Sequence, residues 1–113
     1  MSHWRDLADR LDGKAPVGAR RSSKWRRTRD NFLRGKSCAC CGGKRSLTAH
    51  HKVPFSLAPL LECDESNLVA LCEAKRFGIN CHLLLGHLGN WQRFNPSVDA
   101  NVAYWHQRLI EDR

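Results

Sequence analysis

Apolar positions recur along this chain in two periods, one helical and one of strands. Near the start, Trp4, Leu7, Ala8 and Leu11 stand at helical spacing behind Ser2, a residue type that caps first turns. They predict a helix over residues 1–12. Gly13, Pro16 and Gly18 break the rhythm, so 13–22 reads as a flexible basic linker. A second helix is expected over 23–36, opened by Ser22 or Ser23 and stopped by Gly35, with Trp25, Arg29, Phe32 and Leu33 on one face. Residues 47–53 form a short run with β-branched positions, closed by Pro54, and read as a strand. A loop over 55–66 contains Pro59 and the acidic Glu62, Asp64 and Glu65. Residues 67–72 form a second strand, which makes a hairpin with a long connection. Residues 82–88 predict a short helix across that hairpin. Asn90, Asn95 and Pro96 loosen the chain, and Ser97 opens a last helix to about Asp112, with Val98, Val102, Trp105 and Leu109 as its stripe.

The expected fold is therefore α+β: a small ββα core flanked by N- and C-terminal helices. Residues 1–36 form a basic helical extension, 37–90 the core and 91–113 the C-terminal helix, all in one compact domain. A chain of 113 residues buries too little apolar surface for a large core, which favours a structural metal. No apolar run is long enough to span a membrane, and the N-terminus lacks a signal-peptide pattern. No membrane partner and a cytoplasmic location are the corresponding expectations.

Charge changes the picture more. Residues 1–52 carry 14 Lys and Arg against 4 Asp and Glu, whereas 53–113 carry 5 against 7. A surplus this lopsided points to a polyanionic partner on the basic half. Arg26, Arg27 and Arg29 on the second helix, with Lys44, Arg45 and Lys52 further on, are the candidate contacts to that partner.

The chemistry concentrates between Cys38 and His87, which holds all six cysteines and four of the six histidines. Cys38-x-x-Cys41-Gly has the spacing of a zinc knuckle, in which two thiolates reach one ion across a tight turn. Cys72 and Cys81 can complete a tetrahedral four-sulfur site, which has no open position and is therefore structural. Six cysteines could instead form a disulfide framework, but the missing export pattern and the histidines at metal spacing favour reduced thiolates. Cys40 would need a shorter turn to replace a ligand, and Cys63 reads as a small buried apolar residue. His50 and His51, in a strand, point to opposite sides. His82 follows the last cysteine directly, where it could also ligate the zinc in place of a cysteine. His87 falls about 140° round an α-helix from His82, on a different face unless the helix kinks at Gly86. His106 reads as a surface residue.

In this order, the CxxCG knuckle, the His50-His51 doublet, Asn67, and Cys72 with Cys81-His82 resemble the HNH endonucleases, a ββα-metal (His-Me finger) nuclease family. The match runs from Cys38 to His82. It departs in one place: eight residues separate Cys72 from Cys81, where family members commonly have two. The resemblance implies metal-dependent hydrolysis of DNA phosphodiesters, leaving 5′-phosphate and 3′-hydroxyl ends. It implies that His50 and His82 hold a catalytic divalent ion (Mg²⁺, Mn²⁺, Ni²⁺ or Zn²⁺), with His87 a further candidate ligand. His51 would be the general base, and Asn67 would hydrogen-bond it or brace its loop. Cofactors are thus a structural Zn²⁺ and a catalytic ion; the partner is DNA in a bacterial or phage-infected cell. Double-strand cutting would take a homodimer, a larger DNA-processing assembly or two visits. The alternative is a zinc-ribbon DNA-binding module that does not cut. A cysteine hydrolase is disfavoured, because assigning four thiolates to a metal leaves no obvious nucleophile with a histidine partner.

Overall fold

The computed structural model describes residues 21–111; the expected helix over 1–12, most of the 13–22 linker and the last two residues lie outside them. Helix α1 is Trp25–Leu33, strand β1 is Leu47–His51 and strand β2 is Leu68–Cys72. A single π-helical turn, His82–Gly86, follows, then helix α2, Val98–His106, which continues as a π-helical stretch over Gln107–Glu111. Two 3₁₀ turns, Pro59–Leu61 and Glu65–Asn67, shape the loop between the strands. The result is a small α+β fold, an antiparallel hairpin followed by helices, consistent with a ββα arrangement.

The hairpin positions everything else. Leu47 pairs with Cys72, His50 with Val69 and His51 with Leu68. All five residues of β2 are buried, because both of its faces are covered. Leu68 and Ala70 pack with Phe32 of α1, with Trp25 and Leu33 at the margin. Val69 and Leu71 turn the other way, into a core shared by the cysteines, Leu85, Val98 and Val102. This alternation is the two-residue period of a strand.

Local chemistry sets the element ends. The expected serine cap is corrected: Lys24 holds the N-cap position of α1 without a side-chain cap. Ser22 forms the turn before it, its hydroxyl accepting the Lys24 N–H and its carbonyl the Trp25 N–H, both at 3.1 Å. In α2, Val98 and Val102 are buried and Leu109 is partly so, but Trp105 is 44% exposed, its ring edge-on to Tyr104. The long 73–80 segment folds back on the knuckle: Phe77 and Ile79 pack on the cysteine core, and the Arg76 guanidinium donates to the Cys41 carbonyl at 2.7 Å. Cys72 and Cys81 meet despite the eight intervening residues.

Candidate active site

The knuckle is a turn in which the Cys38 N–H donates to Gly43 O at 2.7 Å and the Gly42 N–H to Cys38 O at 2.9 Å. Gly42 has φ 77°, a conformation a side chain would strain. The Ala39 N–H donates to Ala70 O at 2.8 Å, tying the knuckle to β2. His106, expected at the surface, corrects that expectation: its Nδ1–H donates to Cys40 O at 2.9 Å, so α2 pins the knuckle from outside.

The sulfurs of Cys38, Cys41, Cys72 and Cys81 all lie within 4.8 Å of one another, and each residue is at most 1% exposed. Tetrahedral thiolates at 2.3 Å from zinc are about 3.8 Å apart, so the group has the dimensions of a structural Zn²⁺ site. Its electrostatics agree. A hydrogen bond from Cys81, reinforced by backbone amides, pulls the Cys38 thiol down to about 4. Burial pushes Cys41 up to about 11, and the bond to Cys38 raises Cys81. One thiolate forms easily; four together require a cation. All six cysteines are free of disulfides. Cys40 is buried beside the cluster but outside the four-sulfur group, while Cys63 is only partly buried.

On the other side of the hairpin's end, His50, His82 and His87 bring nitrogens within 4.8 Å of one another. His82 Nδ1 faces the Glu73 carboxylate at 3.1 Å and His87 Nδ1 faces the Arg93 carbonyl at 2.7 Å. Both partners only accept, so both Nδ1 atoms carry the proton and both Nε2 atoms present lone pairs. Those two Nε2 atoms are 3.2 Å apart, and His50 Nδ1 lies 3.1 Å from His82 Nε2. Facing lone pairs at that distance repel unless a cation sits between them. Histidine nitrogens on one tetrahedral ion would be about 3.3 Å apart, so the spacing fits a second metal. Burial first, then repulsion from His82, lowers His50 to about 3, and burial lowers His82, so both stay neutral donors.

His87 joins the group because the backbone departs from an α-helix. In a π turn the hydrogen bonds run from i to i+5, so residues five apart stack on one side. The different face predicted from α-helical geometry is thus corrected. Leu88 (φ 54°) and Gly89 (φ 79°) close the wide turn, and the Gly89 N–H reaches back to Leu83 O at 2.9 Å. Gly86 matters for space, not for φ. A Cβ there would lie 2.8 Å from His50 Cε1 and 2.9 Å from Nδ1. Gly86→Ala should therefore displace the His50 ring and weaken the histidine-site ion by about 10–100-fold, while the cysteine-bound zinc stays. Metal titration of zinc-loaded protein measures this directly, and unchanged affinity for the second ion would contradict it.

His51 lies on the opposite face from His50, as strand geometry requires, yet both line one cleft of about 300 Å³ with Arg21, Trp25, Phe55 and His82. Its Nε2–H donates to Glu62 O at 3.0 Å, which leaves Nδ1 as the basic nitrogen. The Trp25 ring packs on it at 4.4 Å, and burial lowers its pKa, so it is neutral near pH 7. Asn67 does not touch His51. Its amide accepts from the Val53 N–H at 2.9 Å and donates to Val53 O at 3.1 Å and Leu61 O at 3.3 Å. Of the two roles expected for it, the structure shows loop bracing: it holds the segment whose next carbonyl orients His51.

Three site residues escape sequence reasoning. The buried Glu62 carboxylate accepts the Ser22 N–H at 2.8 Å and lies 3.7 Å from Arg21. Arg21 in turn sits 3.5 Å from His51 Nδ1 and stacks on Trp25 and Phe55, each at 5.4 Å. Glu73 fixes the His82 tautomer. The only signal for them was an acid beside Cys72 and an acid–base pair 41 residues apart, neither of which stands out in a sequence.

The expected DNA contacts divide. Arg26 and Arg27 line an open groove of about 750 Å³ on α1 with Lys24 and Arg34. Arg29 is paired with Asp30 at 3.1 Å and Lys52 with Asp99 at 3.0 Å. Lys44 and Arg45 line a separate groove with Arg76. Among the described residues no helix is long and apolar enough to cross a membrane. Compared with protein families, curated proteins and solved structures, the chain matches none.

Proposed function

We propose that this protein is a metal-dependent endonuclease of the HNH type that hydrolyses DNA phosphodiesters. The observation that carries this is the pairing of a three-histidine cluster with a separate neutral histidine, His51, which lines the same cleft and whose Nδ1 faces only the Arg21 guanidinium among the described residues. A purely binding module needs no such pair.

An ion held by His50, His82 and His87 would act as a Lewis acid on the phosphate and offset charge on the departing 3′ oxygen. The chain's own residues do the rest. His51 Nδ1 takes a proton from the attacking water, and its Nε2–H bond to Glu62 O keeps the ring aimed and stabilises the imidazolium that forms. As water's oxygen bonds to phosphorus, the P–O3′ bond breaks; the 3′ oxygen is protonated from solvent, leaving 5′-phosphate and 3′-hydroxyl ends. Arg21, held between two aromatic rings and Glu62, is in place to donate to a non-bridging phosphate oxygen. Glu73 and the Arg93 carbonyl hold the proton on Nδ1 of His82 and His87 and turn the two Nε2 atoms inward.

The basic groove on α1 would track the DNA backbone. Neutralising Arg26 and Arg27 together should lower the log–log salt slope of binding by roughly two, about 0.9 per lost phosphate contact. Neutralising Arg29 should do less, because Asp30 already pairs it. An unchanged slope in a salt titration of the double variant would mean that this face only meets solvent.

Chemical mapping of product ends tests the reaction itself. Ligatable 5′-phosphates opposite 3′-hydroxyls are expected, and 3′-phosphate ends would exclude this attack geometry.

A further inference from the structure

Beside the histidine cleft lies a second groove of about 310 Å³, and the two share Pro54, His87 and Phe94. Its wall is Trp91, which is 51% exposed although tryptophan is among the most costly rings to leave in water. The ring lies 5.1 Å from His82 and 5.0 Å from His87, so it flanks the metal-ligand cluster.

The turn that presents this ring is firmly built. Asn90 accepts the Gln92 N–H through Oδ1 and the Arg93 N–H through its carbonyl, both at 2.9 Å. The Arg93 carbonyl accepts His87 Nδ1–H at 2.7 Å. Just beyond, the buried Asn95 amide donates to Leu85 O and to Asn101 Oδ1, both at 2.8 Å. Ser56, Gln92 and Arg93 line the same groove, and their side chains have no hydrogen-bonding partner among the described residues. A flat aromatic surface is thus fixed at the solvent boundary, next to the cleft, with free donors and acceptors around it.

We propose that this groove takes an unpaired nucleobase next to the phosphate held at the histidine cluster, so that the preferred substrate is single-stranded or locally unpaired DNA. This rests on the nuclease function above and names its substrate class. A base inside a duplex has both faces covered by its neighbours, and only an unstacked base can lie on a protein ring. The hydroxyl, amide and guanidinium at the rim suit the polar edge of such a base and its flanking phosphate. The rest of the lining is mixed, with Pro54, Leu57 and Phe94 beside Ser56, Gln92 and Arg93, which suits the apolar face and polar edge of a base.

The test uses full-length, zinc-loaded protein carrying His51→Ala, so that bound DNA stays uncut. Fluorescence anisotropy compares a labelled 12-nucleotide single strand with the blunt duplex of the same sequence at one salt concentration. The single strand should bind more tightly. Adding Trp91→Ala should weaken single-strand binding by about 5- to 150-fold, the range one stacked base supplies, with duplex binding little changed. Trp91→Phe should keep most of the affinity, whereas Trp91→Leu, bulky but not flat, should behave like alanine. Equal losses on both forms of DNA, no loss on either, or equal affinity of the Phe and Leu variants would each overturn the proposal. The Phe and Leu comparison decides if the alanine variant melts early. Binding is read without cleavage, so the two claims fail separately. A protein that cuts without strand preference overturns the groove alone; one that prefers unpaired strands through Trp91 but cuts nothing overturns only the nuclease.

Discussion

Stripping the cysteine-bound zinc should unfold this protein. The four sulfurs draw together the knuckle, the end of β2 and the start of the π turn, and they form the centre of the larger core with Leu71, Leu85, Val98 and Val102. Among the described residues, the second core has Phe32, Leu68 and Ala70 as its buried members. Structural zinc sites supply about 10–16 kcal/mol of apparent binding free energy in zinc-finger peptides, comparable to the whole stability of a small domain. Without the ion, four buried thiols remain in mutual contact, Cys41 and Cys72 at 3.4 Å, with burial pushing the Cys41 thiol up to about 11. Chelator titration followed by far-UV circular dichroism, with released zinc counted on the same sample, should show one equivalent leaving together with the helical signal. Cys72→Ala should lose the fold in the same way. An intact cooperative melt after complete zinc removal would contradict it.

His51→Ala should lower the rate of DNA cleavage by about 10²–10⁴-fold, the usual contribution of a general base. In the proposed mechanism the loss should fall on the chemical step, because His51 would take the proton and would hold no ion. Some stability goes as well. Glu62 O loses its donor and Trp25 loses a packed ring, together about 1–3 kcal/mol. A thermal melt separates that cost from the catalytic one. His50→Ala should fail differently: it removes a ligand, so raising the divalent-ion concentration should restore part of the rate, and no concentration should rescue His51→Ala. Cleavage rates across a metal titration measure both. A His51→Ala rate near that of the unaltered protein would remove the base assignment.

The parts legible in sequence are those whose signal is local or repeats a known spacing. Cys38 and Cys41 declare a knuckle by themselves, and a two-residue period with Pro54 as its stop marks the first strand. The opposite orientation of His50 and His51 follows from strand geometry alone. His87 was hidden because HLLLG reads as α-helix, and only the backbone reveals the π turn that swings it beside His82. Gly86 did signal the anomaly, but as a kink; its actual service is room for the His50 ring. Arg21, Glu62 and Glu73 were invisible for another reason. Each acts through a partner brought near by folding: Glu62 meets Ser22 across forty residues, and Glu73 meets His82 across the fold-back of 73–80. His106 likewise had no local mark of its bond to the knuckle.

The most direct measurement is the conversion of supercoiled plasmid by purified, zinc-loaded protein, with and without added Mg²⁺, Mn²⁺ or Ni²⁺. Nicked or linear DNA should accumulate only when the histidine cluster has an ion available, and His82→Ala should stop it while leaving the zinc content at one equivalent. Plasmid that is bound but stays supercoiled under every metal would contradict the nuclease and leave a zinc-ribbon DNA-binding module.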